Sequence, residues 1–190
     1  MKEREIVCLI NDALKDALTA LNHKSFYNIV LERERSDGIK ELIDVEKGKA
    51  DKKVFPDDHI QFMCYHKYAG SNYEEKRGYG ASQATYIQKA DMSMVIIAKR
   101  TADITDDVIE SWVANTIGIT LTQSELVTFK LISCSILPTS STIDAGILVR
   151  EFPEIKRNTF PNILCLELKY SITTKYNAGC ADLCFTNNLN

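Results

Sequence analysis

The sequence predicts an α+β domain built on a mostly antiparallel sheet, and three observations carry that expectation. An N-terminal stretch repeats its apolar residues at helical steps, a second stretch near 105–117 does the same, and most other apolar segments alternate as strands do. A chain of 190 residues suits one such domain and buries roughly 70% of the surface it exposes when unfolded. The expected organisation is a single domain over 1–190, with a polar insertion or hairpin at about 36–58 and a projecting loop at about 70–86.

The first element is REIVCLINDALKDALTAL, in which Ile6, Leu9, Ile10, Ala13, Leu14, Ala17, Leu18 and Leu21 recur three and four residues apart. That spacing is one face of an amphipathic helix, closed by Asn22 and His23. SFYNIVLERE, residues 25–34, is rich in aromatic and β-branched side chains and ends at the turn signal SDG, so it reads as a strand. Residues 36–58 are polar and lysine-rich around Leu42, Ile43 and Val45, the composition of a loop or a long hairpin tip with solvated charges.

HIQFMCYHKYA, residues 59–69, alternates again and sets Ile60, Phe62, Cys64, His66 and Tyr68 on one side of a strand. GSNYEEKRGYGASQATY, residues 70–86, has no period; long loops of this kind in compact domains bind something or move. In residues 88–100 the run Val95, Ile96 and Ile97 predicts a strand buried on both faces and therefore central in the sheet. TADITDDVIESWVANTIGI then turns helical. Val108, Ile109, Trp112, Val113 and Ile117 share a face, Thr105 or Asp103 suits the N-cap, Asp106 and Asp107 complement the dipole, and Gly118 ends the helix. The last third reads as strands: ELVTFKLISCSIL, TIDAGILVREF and FPNILCLELKYSITTKY, punctuated by Pro138, Pro153 and Pro161.

Composition narrows the function. A formal net charge of -3 leaves no overall basic footprint for nucleic acid, and no apolar run approaches the ~20 residues that span a bilayer. The start of the chain carries charges through its apolar part, so neither a membrane span nor a signal peptide is expected. The six cysteines are expected to be reduced, most of them as small core hydrophobes. Cys180 and Cys184 are separated by three residues, with no second pair and no histidine nearby, and read as part of a terminal turn rather than a zinc site.

One motif carries chemistry sharply enough to weigh. In the last strand Leu164, Leu166, Leu168, Tyr170 and Ile172 fall on one face, and Cys165, Glu167, Lys169, Ser171 and Thr173 on the other. Glu167-Leu168-Lys169 has the acid-x-lysine form of metal-dependent nucleases, whose carboxylates hold Mg²⁺ while the lysine helps activate water, and Asp144 is the one residue placed to supply the first acid. Against this, Asp144 lies far upstream with two prolines between, and a strand's polar face pairs Glu with Lys by its period of two alone. The better reading of Glu167 and Lys169 is a solvent or subunit-contact pair.

Other chemistries lack support. His59 and His66 point to opposite faces of one strand, His23 lies elsewhere, and KRGYGASQ lacks the spacing of a phosphate loop. No G-x-S-x-G occurs. Tyr73, Arg77, Tyr79 and Tyr86 in 70–86 are instead the residue types enriched at protein interfaces.

The order of an amphipathic helix, a strand pair with a polar hairpin, the strand ATYIQKADMSMVIIAKR, the helix DDVIESWVANTI and long terminal strands resembles the tail terminator and head–tail connector (neck) proteins of tailed bacteriophages. The resemblance runs from Ile6 to about Thr173, and the 36–58 insertion and the tail after Tyr176 depart from it. It implies a small α+β subunit without enzymatic activity or cofactor, assembled in the bacterial host cytoplasm into a ring, often sixfold or twelvefold, in the neck or tail of a virion. Its partners would be copies of itself and portal, neck or tail-tube proteins, with DNA only as passing cargo and no membrane. A mildly acidic subunit suits a lumen that does not grip phosphate.

Overall fold

The computed structural model describes residues 2–19, 21–45, 49–56, 59–76, 85–101, 115, 127–137, 151–152, 154 and 163–177. They form one helix, α1 (Lys2–Ala17), and seven strands: β1 (Lys24–Glu34), β2 (Lys40–Asp44), β3 (Lys52–Val54), β4 (Phe62–Lys76), β5 (Thr85–Lys99), β6 (Val127–Leu137) and β7 (Ile163–Asn177). The sheet order is β3-β2-β1-β4-β5-β7-β6, antiparallel throughout except for the parallel pair β1 and β4. This agrees with an α+β fold on a mostly antiparallel sheet. Of the helix expected at 105–117 only Asn115, which is helical, is described, and all but the end of the TIDAGILVREF strand lies outside the described residues. Where that segment is described, Glu151 is helical and Phe152 is a core residue.

The expected face of α1 is rotated. Ile6, Val7, Ile10, Asn11 and Leu14 are buried, whereas Leu9, placed on the apolar stripe by its spacing, is 51% exposed. The polar Asn11 takes an inward position because the sheet offers it partners, and that turns Leu9 outward. Burial of the four aliphatic side chains on α1 is worth about 6–12 kcal/mol before entropy. The helix C-terminus is held by Lys24, whose Nζ donates to the carbonyl of Leu18 at 2.8 Å and reaches that of Lys15 at 3.4 Å. Its N-terminal end is tied to β5, where Gln88 Nε2 donates to Glu3 Oε1 at 2.6 Å.

The described part of the polar region 36–58 holds the paired strands β2 and β3. The SDG turn before them closes through Arg35 and Ile39, with Gly38 at φ 80, a left-handed conformation that glycine adopts without strain. Leu42 and Val54 then pair across β2 and β3 and enter the core.

Both faces of the sheet are packed. On the α1 side lie Phe62, Cys64, Met92, Met94, Ile96, Ala98, Leu164, Leu166, Leu168, Tyr170 and Ile172. On the other lie Tyr27, Val30, Leu42, Val54, Met63, Tyr65, Val95, Ile97, Ile163 and Cys165, closed by Ile60 and Phe152. β5 is buried on both faces and sits between β4 and β7, as the Val95-Ile96-Ile97 run predicts. Ile60 departs from expectation: it precedes β4 and packs on the side opposite Phe62, because the strand begins only after Gln61, whose side chain accepts from the backbone of Asn22 and His23.

Candidate interaction surface

β4 and β5 are each 15 residues long and pair in register from Phe62 with Ala98 to Lys76 with Thr85. Residues 70–76 and 85–86, expected in a projecting loop, are therefore strand, and only 77–84 between them lie outside the described residues. The physical reason is that Ser71 to Glu74 bond through their backbones while showing polar side chains outward, so no apolar alternation marks the strand. A strand of 15 residues extends about 50 Å, twice the ~24 Å of α1, and the helix N-terminal end meets the hairpin at Gln88, the register partner of Tyr73.

The outer half of this hairpin is built around a break in the ladder at Tyr68 and Gly70. Gly70 has φ 147, a conformation in which a side chain is strained even with open space around it. Beyond His66, where β1 stops pairing, the 67–73 edge of β4 has β5 as its only strand partner among the described residues. Tyr68 is 47% and Tyr73 70% exposed beside this edge.

The other expected contact residues are scattered. Tyr86 occupies the register position opposite Glu75 on β4 and Tyr176 on β7, while Arg77 and Tyr79 lie outside the described residues. Glu167 and Lys169 share the face of β7 opposite α1, Glu167 half-buried and Lys169 exposed, as the alternation predicts. Their neighbours in register are Val95 and Ser135 for Glu167, and Ser93 and Ser133 for Lys169, so neither has an acidic residue directly across the ladder. Asp144 lies outside the described residues, and among the described residues no cluster of His, Cys, Asp and Glu is arranged to hold a metal ion.

The structure assembles one polar group that the spacing of residues did not reveal. His66, fully buried, is hydrogen-bonded through Nδ1 to the Tyr170 hydroxyl at 2.8 Å and through Nε2 to Asn11 Oδ1 at 3.1 Å. Asn11 Nδ2 donates to the carbonyl of Tyr27 at 3.1 Å, which fixes Oδ1 as the acceptor toward His66. His66 is thus neutral with its proton on Nε2, and the Tyr170 hydroxyl donates to Nδ1. The Cys64 thiol, 3.5 Å from the same Oδ1, completes the set. Burial pushes the His66 imidazole down to about 3 and pushes the Cys64 and Tyr170 protons to far higher pH than usual, so all three groups stay neutral. The available signal was an asparagine within the apolar face of α1, aligned with a histidine and a tyrosine that alternation turned inward.

A second polar set lies around β1–β3 and the 151–154 segment. Glu154 is paired with Arg35 and, at 2.7 Å, with Lys53, which holds its carboxyl below the usual range; Lys53 is the largest cause. Arg33 bridges Glu41 at 2.6 Å and Asp51 at 3.3 Å, and Lys67 pairs with the buried Glu151.

Comparison with known proteins finds no matching family model and no matching curated protein. Among solved structures, the chain is similar to the sheath/tube terminator of an extracellular contractile injection system, PVC, in its extended state, at 12% identity and a TM-score of 0.34. The superposition covers 90% of this chain and 56% of the other, so the chain spans little more than half the length of that terminator.

Proposed function

We propose that this chain is a non-enzymatic assembly subunit that closes into a ring with copies of itself, in the manner of tail terminator or head–tail connector proteins between portal and tail. The observation that carries the reading is the outer half of the β4–β5 hairpin. It combines an edge without a strand partner over 67–73 among the described residues with two exposed tyrosines, Tyr68 and Tyr73. A strand edge supplies backbone donors and acceptors for a neighbour's strand, and tyrosine adds contact area at little entropic cost. A ring needs two different patches on each subunit, and the 67–73 edge of the long β4–β5 hairpin supplies one of them. In this reading the neighbours are further copies of the chain and portal, neck or tail-tube proteins of a virion; DNA passes through without being read.

The test is the double substitution Tyr68→Ser with Tyr73→Ser. The expected outcome is a lower native mass at an unchanged melting temperature, because both side chains are exposed in the single subunit. An unchanged native mass overturns this edge as the contact. Mg²⁺-dependent DNA cleavage by the unmodified protein, lost in Glu167→Ala, overturns the non-enzymatic reading as a whole.

A further inference from the structure

Where α1 meets the sheet, the ring of His66 is the middle member of a chain that crosses the interface. Asn11 belongs to the helix, His66 to β4 and Tyr170 to β7, with hydrogen bonds of 3.1 and 2.8 Å. We propose that Asn11, His66 and Tyr170 form an acid-sensitive latch: lowering the pH opens α1 from the sheet while the opposite face stays closed.

The surroundings of the ring make protonation costly in the closed state. β1 sets Ile29 opposite His66, β5 sets Met94 opposite it, β4 adds Cys64 two residues away, β7 adds Tyr170 and α1 adds Asn11. Tyr170 and Cys64 titrate only at alkaline pH because burial keeps them neutral, so neither offers a negative charge to an imidazolium. On the helix, Lys15 and Asp12 pair with each other at 2.9 Å in solvent. A proton on Nδ1 would also turn the Tyr170 hydroxyl from donor to acceptor, reversing the bond it now makes.

Lifting α1 removes this cost by bringing the ring into water, where it takes up a proton at its ordinary value near 6.5. The opened population therefore rises about tenfold for each pH unit below that value. It stops rising near pH 3, where the closed form also binds the proton. Four buried aliphatic residues oppose the opening, so the device grades a minor open population rather than throwing the helix off at once. The inference is independent of the assembly reading, since the latch lies on α1, β7 and the inner half of β4 rather than on the 67–73 edge.

Cys64 lies in the α1-side core and Cys165 in the core on the other face, both buried, so they report the two sides separately. The experiment labels the full-length protein with 4,4′-dithiodipyridine between pH 7.5 and 5, maps modified cysteines by peptide mass, and divides each rate by that of a small thiol at the same pH. The expected result is a Cys64 rate that climbs about tenfold per pH unit below 6.5 while Cys165 lags behind. His66→Gln, which keeps one donor and one acceptor, should abolish the climb. A Cys64 rate that is flat with pH, a Cys165 rate climbing in step with it, or an unchanged slope in His66→Gln overturns the proposal. If His66→Gln does not fold, Asn11→Asp takes its place: a carboxylate beside Nε2 stabilises the imidazolium in the closed form, so the slope must flatten, and a slope as steep as in the unmodified protein overturns the latch.

Discussion

On the α1 side of the sheet, aliphatic residues surround a neutral hydrogen-bonded chain from Asn11 through His66 to Tyr170. On the other side, Phe152 stands edge-on to Phe55 and Tyr65 at ring separations of 6.0 and 6.1 Å, and ion pairs from Arg35, Lys53 and Lys67 to Glu154 and Glu151 form a rim beside it. Both sides bury comparable apolar sets, yet their polar fastenings differ in kind. The buried chain is made of groups that carry no charge at neutral pH, so salt leaves it alone and acid breaks it. The rim is made of charges, most of them partly in water, so salt weakens it and mild acid does not. The pairing of Lys67 with buried Glu151 is the exception, since burial shields it from salt.

Three substitutions or conditions sharpen that contrast, beginning with the largest effect. Phe152→Ala empties the aromatic stack and should lower stability by about 3–5 kcal/mol in urea unfolding, with little change in its pH dependence. A loss below about 1 kcal/mol would mean that the 151–152 segment does not close the second face. Next, His66 is neutral when folded, with its value lowered to about 3 from 6.5, so the unfolded chain binds the extra proton between those values. Stability is full above pH 6.5 and falls as pH drops, by about 2 kcal/mol at pH 5. His66→Gln should therefore flatten the curve between pH 6.5 and 5. A slope that survives that substitution would break the account of this face. The smallest effect belongs to the rim: Lys53→Ala should cost under about 1 kcal/mol at low salt and nearly nothing in molar salt. A loss that salt does not diminish would show that Lys53 acts through its packing over Phe55 instead.

The sequence made some of this legible and hid the rest for physical reasons. The alternation in residues 164–173 put Leu164, Leu166, Leu168, Tyr170 and Ile172 toward the core because β7 has a covered face of period two from Leu164 to Ile172. The SDG turn and the central place of β5 followed from backbone conformation and from burial on both faces. The outward turn of Leu9 did not, because helical spacing cannot tell an aliphatic stripe from its neighbour when an inward polar residue, Asn11, is fixed by partners 16 and 55 residues away. The parallel pairing of β1 with β4 is equally silent in sequence, since nothing local distinguishes it from an antiparallel one. The outer part of β4 carries no strand signature because Asn72, Tyr73 and Glu74 are exposed in succession, and a strand without a covered face loses the alternation that marks it. Of the residues expected at an interface, Tyr73 is 70% exposed, and Glu167 and Lys169 lie on the face of β7 that also carries buried Cys165 and Ser171.

The central claim is that the chain assembles with itself through the β4–β5 hairpin, and the direct measurement is native mass by light scattering after size exclusion, over a wide range of concentrations. The account predicts a discrete species at a fixed multiple of 21.4 kDa, such as six or twelve, that persists on dilution and is lost when Tyr68 and Tyr73 are replaced. A mass of 21.4 kDa at every concentration, together with Mg²⁺-dependent cleavage of DNA that Glu167→Ala removes, would contradict it.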